Sequence, residues 1–385
     1  MTDDRTGLWL VGARGSVATT VATGLALITA GGAAPDGLVT EQPELAAAGL
    51  VPLDRIVIGG HDVSEVPLVK RAAQLADAGV VPHTALALAA DQLDRDCARV
   101  RLGHRTGTES QPETQGEAVE RLAADIREFA EAESLSRVVV VNVSSTEPVT
   151  ADDAAHASLE ALEAAWAAGG SPLPPSSVYA AAAFIAGAAF IDFTPSTGAR
   201  LPALAELAVR QGVPWGGSDG KTGETLVKSV LAPMFAARSL RVRSWAGTNL
   251  LGGGDGATLA DPEAMESKAR SKARGLEEML GHPVDGPVHI DNIADLGDWK
   301  TAWDHLTFSG FLGTRMSMQF TWQGCDSSLA APLVIDLARL ADLALRRGET
   351  GPLTALGFFF KDPVDSREHR LFEQHRVLTE WATAS

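Results

Sequence analysis

The sequence predicts an α/β fold, in which an α+β domain is inserted into a doubly wound, Rossmann-like parallel sheet. Three observations support this. Apolar strand-like runs alternate with helical segments through the first half of the chain, and a glycine-rich turn joins the first strand to the first helix. After about residue 239 the pattern becomes one of alternating polar and apolar residues. We therefore expect residues 1–238, completed by 324–385, to form the Rossmann-like domain and 239–323 the inserted one.

The first strand, turn and helix are the clearest elements. Gly7 to Val11 is a short apolar run that stops at a glycine, and Val17 to Thr29 is an Ala-rich helical segment. Arg137 to Asn142 contains four consecutive valines, which is typical of a parallel strand covered on both faces. The other elements predicted in this half are the strand Arg55–Ile58 and the helices Val66–Ala78, Gly116–Ala132 and Ala151–Ala168.

The second half is predicted to be mixed. Leu240 to Trp245, Val288 to Ile290 and Met316 to Phe320 alternate in polarity, as strands exposed on one face do. A long apolar segment from Leu329 to Leu345 then predicts a helix that packs back on the first domain.

The composition and charge of the chain exclude several classes of binding partner. The formal net charge is −17, and so negative a surface repels nucleic acid and anionic lipid, so we expect neither as a partner. An anionic substrate would need locally concentrated lysines. The two cysteines, Cys97 and Cys325, lie far apart, which argues against a disulfide framework or a zinc site. The acidic N-terminus and the short apolar stretches predict a cytoplasmic protein without a membrane anchor.

The glycine turn is the first candidate for binding a ligand. Gly12, Ala13, Arg14, Gly15 and Ser16 lie where free backbone N–H groups could hold a pyrophosphate, although the spacing is not GxGxxG and a plain strand-to-helix turn is the alternative.

Asp62 follows the second strand. Its carboxylate could meet the hydroxyls of an adenosine ribose, or it could be a surface-turn aspartate.

Two glycine-rich segments follow later in the chain. Gly217 to Thr225 is polar, leads into a helix, and could form a phosphate or nicotinamide site, with a simple capped helix as the alternative. Asn249 to Gly256 contains three consecutive glycines, which would let the backbone approach a ligand closely, with a surface loop as the alternative.

Four lysines complete the candidate site. Lys268 and Lys272 are four residues apart and would share one helix face, which could also be a solvated face. Lys300 stands in the sequence GDWK. Lys361 follows three phenylalanines and could donate or accept a proton there, or simply extend from the end of a strand.

Taken in order, these segments resemble the myo-inositol-1-phosphate (inositol-3-phosphate) synthase family in its shorter bacterial form. The family's GDDxKSGQTxxKS is similar to GSDGKTGETLVKS at Gly217–Ser229, and its NxLGNNDG is similar to Asn249–Gly256. Six such likenesses occur in one order, which makes the resemblance specific. The remaining four are the lysine pair Lys268 and Lys272, GDWKTAWDH at Gly297–His305, CDSSLAAPLVIDL at Cys325–Leu337, and Phe360–Pro363.

Some positions depart from the family pattern. The nucleotide turn GxGGNNG of the family appears here as GARGSVA, so the contacts of two asparagines are missing. Gly253 and Gly254 replace paired asparagines. Glu224 replaces a glutamine near the expected substrate phosphate.

The resemblance implies a redox-neutral cyclisation of glucose 6-phosphate to inositol 3-phosphate with NAD. It assigns Lys268 and Lys361 to the C5 hydroxyl, Lys300 to the aldehyde oxygen, and Asp219 to orienting a lysine. It assigns the substrate phosphate to Lys272, Thr222, Gly223 and Leu251. It assigns NAD to Gly12, Ala13, Arg14, Gly15, Ser16, Val17, Asp62, Ser144, Ser145, Gly217, Asp219, Asp255, Asp326 and Ser327.

The resemblance also implies a homotetramer joined through the sheet of the second domain, and the scheme requires no metal. Asp62 favours NAD over NADP, because its carboxylate would repel a 2′-phosphate.

Two alternatives stay open. A relative on the same scaffold could convert fructose 6-phosphate into a five-membered cyclitol phosphate, as family members in secondary metabolism do for carbocyclic nucleosides. The altered turn at Arg14 also leaves room for a non-catalytic dinucleotide-binding protein.

Overall fold

The structure, a computed structural model, describes residues 4–105, 113–252 and 275–384. Within these ranges no helix has both the length and the apolar character needed to cross a membrane. The strands are β1 (Thr6–Val11), β2 (Ile56–Asp62), β3 (Val100–Leu102), β4 (Arg137–Asn142), β5 (Ala189–Asp192), β6 (Pro214–Gly217), β7 (Arg241–Leu251), β8 (Val288–Asn292), β9 (Trp299–Ser309), β10 (Arg315–Cys325) and β11 (Gly351–Pro352). The helices are α1 (Ser16–Thr29), α2 (Leu68–Asp77), α3 (His83–Ala98), α4 (Gln115–Ala132), α5 (Leu159–Ala167), α6 (Pro175–Ile185), α7 (Pro202–Gln211), α8 (Gly223–Ala237), α9 (Asp326–Arg346) and α10 (Leu371–Thr383).

A seven-stranded parallel sheet forms the centre of the molecule, in the order β11-β6-β5-β4-β1-β2-β3. The chain extends the sheet from β1 in both directions, so the strand order reverses between β1 and β4. In doubly wound sheets, ligands bind at the carboxyl ends of the strands beside this reversal. The predicted Rossmann-like sheet is confirmed.

The two faces of this sheet pack against different helices. Leu8 and Val139 point to the face covered by α1 and α9, where Val334 and Leu337 of α9 are fully buried. Trp9, Val57 and Val140 point to the opposite face, which is covered by α4, α6 and α7. Burial on both faces explains the uninterrupted valines of β4. The helix predicted at Leu329–Leu345 is α9, and it packs on the first sheet as expected.

A smaller sheet of four strands has the order β10-β9-β7-β8. Pairing is antiparallel between β9 and its two neighbours and parallel between β7 and β8. The inner face packs on α8, where Phe235 contacts a cluster that includes Trp245 and Leu306. The alternation predicted for these strands is confirmed, although each strand is longer than its predicted core. The domain limits at residues 238 and 324 stay a prediction.

Two predicted elements need correction. The helix expected at Ala151–Ala168 begins only at Leu159, because the side chain of Asp153 accepts the N–H of Ala155 at 2.8 Å and forms a turn, and Ser158 then caps α5. The strand predicted to end at Ile58 continues through Asp62. Residues Gly59 to His61 pair with β1, and glycine is needed at Gly60 because a Cβ atom there would lie 2.2 Å from the Leu10 carbonyl oxygen.

The apolar stretch from Tyr179 to Ile191 is assigned to no element from the sequence. It holds both the end of α6 and most of β5, separated by Gly187 with its φ of +75°. A uniformly apolar stretch gives no periodicity that separates a buried helix from a buried strand.

Candidate active site

Two adjoining cavities lie at the carboxyl ends of the parallel strands. The turn cavity, about 570 Å³, is lined by the glycine turn, Asp62 and the segment after β4. The lysine cavity, about 150 Å³, is lined by both described candidate lysines, Lys300 and Lys361, together with Asp219. The two cavities share wall residues, among them Ser144 and Leu251. A ligand in one can therefore reach a ligand in the other.

The glycine turn is pressed against the loop after β4. The Gly12 N–H donates to the His61 carbonyl oxygen at 2.9 Å, and Gly12 has a φ of +83°. A Cβ atom at Gly12 would lie 2.9 Å from Ser144 Cα. No side chain caps the N-terminus of α1. The turn thus offers the close backbone approach and the helix N-terminus that a dinucleotide pyrophosphate requires.

Asp62 braces this turn. Its carboxylate accepts the backbone N–H of Arg14 at 2.6 Å and that of Ser64 at 2.7 Å. The Arg14 side chain turns back to donate to the Ser64 carbonyl oxygen. The arginine at a usual glycine position therefore contributes its backbone to the turn, while its guanidinium is engaged with the loop after β2.

Replacement of Gly12 by alanine is expected to weaken NAD binding by roughly tenfold or more, because the new methyl group would displace the turn from Ser144. Gly31 is a matched control, with a φ of +70° but no atom within 4 Å of an added Cβ. Gly31→Ala should cost only the left-handed backbone strain, about 1 kcal/mol of stability. Calorimetric titration with NAD compares the two, and equal affinities would contradict the proposed close approach.

The lysine cavity contains an ion pair between Lys361 and Asp219. Lys361 Nζ lies 2.8 Å from Asp219 Oδ1. The pairing follows from the backbone, because the Lys361 N–H donates to the Asp219 carbonyl oxygen at 2.7 Å and Gly220 bridges Phe360. Phe360 is 1% exposed and anchors the lysine segment in the core. Two segments about 140 residues apart in sequence thus fix one ammonium and one carboxylate.

A second ion pair joins Lys300 of β9 to Asp326, the first residue of α9, at 2.8 Å. The Thr222 hydroxyl donates to the same carboxylate at 3.4 Å and does not cap α8, so a simple capped helix does not describe this segment. Gly223 has a φ of +54°, and a Cβ atom there would lie 3.8 Å from Lys300 Nζ. The N-terminus of α8 therefore faces Lys300.

Most sequence-predicted site residues meet at these cavities. Ala13, Gly217 and Gly223 are exceptions, because all three are buried and line neither cavity, with Gly217 packed against Asp192. Lys268, Lys272 and Asp255 lie outside the described residues. The predicted residues that line one or both cavities are Gly12, Arg14, Gly15, Ser16, Val17, Asp62, Ser144, Ser145, Asp219, Thr222, Leu251, Lys300, Asp326, Ser327 and Lys361.

Sequence reasoning missed a buried polar group at the ends of β4 and β5. Asp192 accepts hydrogen bonds from Asn142 Nδ2 at 3.1 Å and from the Thr194 hydroxyl at 2.7 Å, and Thr194 itself lines the lysine cavity. Its other oxygen, Oδ2, is buried and has no hydrogen-bond partner among the residues that the structure describes. Burial raises the pKa of Asp192 from 3.8 to about 7. No motif marks this residue.

The raised pKa of Asp192 predicts a pH-dependent effect on stability. The folded chain holds a proton that the unfolded chain releases above pH 3.8, so Asp192 costs folding free energy increasingly from about pH 4 to about pH 7. The change Asp192→Asn removes this cost. Its melting temperature, relative to wild type, should therefore rise by several degrees between pH 5 and pH 8. Thermal melts at both values test this, and a difference that stays constant or falls would contradict it.

Comparison with known proteins gives the family. An NAD-binding family model, described as myo-inositol-1-phosphate synthase, matches residues 6–383. Inositol-3-phosphate synthase 1 of Bacteroides thetaiotaomicron is 34% identical, over 98% of this chain and 93% of that relative. The chain belongs to the myo-inositol-1-phosphate synthase family. Membership makes the chain an NAD-dependent cyclase-type enzyme, and it confirms the family and the cofactor predicted from the sequence.

Solved structures confirm the fold. The inositol-3-phosphate synthase of Caenorhabditis elegans superposes with a TM-score of 0.88 at 24% identity, covering 99% of this chain and 85% of that one. A myo-inositol-1-phosphate synthase-related protein from Thermotoga maritima gives a TM-score of 0.79 at 24% identity and covers 98% of each chain. The overall fold thus agrees with membership of the synthase family.

Proposed function

We propose that the chain converts glucose 6-phosphate into myo-inositol 3-phosphate, with no net oxidation or reduction. One observation carries the proposal. Two lysine–aspartate pairs from four separate segments, Lys361–Asp219 and Lys300–Asp326, face one cavity that opens into the turn cavity. A site that only binds a dinucleotide has no need of such pairs, whereas a reaction that develops negative charge on two oxygens does.

NAD, when bound, would supply the acceptor for the C5 hydride of the open-chain sugar and the donor that returns it to the same carbon. Lys361 and Asp219 are assigned to the hydroxyl group on that carbon. We assign Lys361 Nζ to the C5 oxygen. Lys361 passes one of its own protons to Asp219 and takes the hydroxyl proton in its place, and the ammonium group then polarises the C5 carbonyl. The C5 carbonyl acidifies the protons on C6. When hydride returns to C5, the same pair gives the proton back to the C5 oxygen.

Ring closure is assigned to Lys300. We assign removal of a C6 proton to an oxygen of the substrate's own phosphate. The resulting enolate attacks the C1 aldehyde through its C6 atom. The C6–C1 bond forms, and the electron pair of the aldehyde moves to its oxygen. Lys300, oriented by Asp326, stabilises this alkoxide and donates the proton that neutralises it.

The phosphate end is assigned to the N-terminus of α8. Thr222 and Gly223 supply backbone N–H groups there, and the helix dipole favours an anion. Leu251, at the end of β7, is assigned to the wall of this end. Lys272 for the phosphate and Lys268 for the C5 oxygen stay part of the proposal, outside the described residues.

We also propose a homotetramer joined through the outer face of the small sheet. Trp303 of β9 is 42% exposed on that face, whereas Ala302 and Asp304 beside it are fully buried on the other. Residues 1–238 with 324–385 would form the NAD-binding domain, and 239–323 the catalytic and oligomerisation domain. The two free thiols, Cys97 and Cys325, support a cytoplasmic location.

Incubation with NAD and either glucose 6-phosphate or fructose 6-phosphate, followed by NMR of the product, tests the function. We expect a six-membered cyclitol phosphate from glucose 6-phosphate. A five-membered ring formed from fructose 6-phosphate would overturn the substrate assignment. Bound NAD without product from either sugar would favour a non-catalytic dinucleotide-binding protein.

A further inference from the structure

A buried group of charged side chains lies behind the wall of the lysine cavity. It consists of Glu224 and Lys228, one turn apart on α8, and Asp304 of β9; we call it the buried charge cluster. Lys228 Nζ contacts Glu224 Oε1 and lies 3.3 Å from Asp304 Oδ1. The three side chains are 3%, 9% and 0% exposed, in the order Glu224, Lys228 and Asp304.

Neighbouring groups fix the geometry of this cluster. Trp245 Nε1 donates to Asp304 Oδ1 at 2.7 Å, and its ring centroid lies 5.5 Å from Lys228 Nζ. Lys228 thus has a carboxylate on two sides and an aromatic ring on a third. Buried ion pairs of this kind are weak evidence for stability, because desolvation offsets most of their attraction. A contribution to stability therefore does not account for the cluster.

Glu224 connects the cluster to the site. It lines the lysine cavity and is the neighbour of Gly223, in the first turn of α8. Its Oε1 lies on the side of β7, since a Cβ atom at Gly247 would be 3.4 Å from it. The family has a glutamine at this position, which is neutral. A carboxylate beside a dianionic phosphate needs a counter-charge, and Lys228 is a counter-charge in contact with it.

We infer that Lys228 is a positioning residue for the phosphate end of the substrate site. It holds the Glu224 carboxylate toward β7 and cancels its charge, so that an acidic side chain can border the phosphate without repelling it. The inference rests on the proposed function only for what binds there, a sugar phosphate. Together, Glu224 and Lys228 present no net charge to the phosphate, as the neutral glutamine of the family does.

Three variants test this pairing through the KM for glucose 6-phosphate. Lys228→Met should raise KM by roughly 30-fold, with kcat changed less than about threefold, because repulsion acts on the bound phosphate in every state of the reaction. Glu224→Gln alone should leave KM within about threefold of wild type. The double variant should return to within about fivefold of Glu224→Gln, because position 224 then carries no charge to cancel. The remaining carboxyl group, Asp304, does not line the lysine cavity, and burial raises its pKa. Lys70→Met, on the exposed face of α2, is the control for loss of a lysine.

A double variant with a KM more than about tenfold above that of Glu224→Gln would overturn the inference, because Lys228 would then act through packing. This comparison holds even where Lys228→Met alone does not fold, and NAD titration of each variant checks folding. Failure of the proposed function shows separately, in the wild type, as no turnover. In that case calorimetric affinity for glucose 6-phosphate replaces KM, with the same pattern expected across the same variants.

Discussion

Replacing Lys361 by alanine is expected to lower kcat by roughly 10³-fold or more while NAD stays bound. Lys361 faces the lysine cavity and does not line the turn cavity, so its loss removes the group assigned to the C5 oxygen without removing a wall of the NAD site. The variant should fail at the first oxidation. Single-turnover mixing with glucose 6-phosphate should therefore give no near-ultraviolet absorbance of reduced nicotinamide.

The control for this experiment is Lys70→Ala, which removes a surface lysine and should leave turnover unchanged. Asp219→Asn supplies a second test of the pair, because it keeps the shape of the side chain and removes the charge 2.8 Å from Lys361. We expect Asp219→Asn to slow the same step. Near-normal activity of Lys361→Ala would refute the role of Lys361.

Replacing Lys300 by methionine is expected to have the second-largest effect, a fall in kcat of roughly 10²- to 10³-fold. Lys300 should act at a later step than Lys361. Lys300 is assigned to the C1 oxygen, whose charge appears only at ring closure, so oxidation at C5 should still proceed. Reduced nicotinamide should accumulate on the enzyme after mixing with glucose 6-phosphate, and no cyclitol phosphate should form.

The two lysine variants thus predict opposite spectra. Lys361→Ala should show oxidised cofactor only, whereas Lys300→Met should show reduced cofactor in an amount close to that of the active sites. If Lys300→Met showed no reduced nicotinamide, the separation of the two roles would be wrong. If both variants accumulated it, Lys361 would act after the oxidation instead of in it.

Much of this site could be predicted from sequence because its parts are local. The glycine turn, the start of α8 and the segment around Lys361 are each short motifs with their own backbone requirements, such as the positive φ of Gly12 and Gly223. Strands β1 and β4 could be predicted for the same reason. Their pattern is set by burial on both faces, which leaves a visible apolar run.

What could not be predicted depends on residues that meet only in the fold. Asp192 is buried by strands from both sides, and Asp304 pairs with Lys228 across two elements about 76 residues apart in sequence. One signal could have pointed to Lys228. The chain contains seven lysines, against 25 arginines, and six of the seven lie in the motif segments from Gly217 to Lys361. A chain that uses arginine almost everywhere else keeps lysine for specific positions.

Transfer of deuterium from glucose 6-phosphate labelled at C5 is the most direct test of the central claim, that one site oxidises and re-reduces the same carbon. With unlabelled NAD in catalytic amount, the product should be a myo-inositol phosphate that retains one deuterium at the carbon derived from C5. Loss of that deuterium to solvent, or its build-up in free reduced cofactor, would contradict the account.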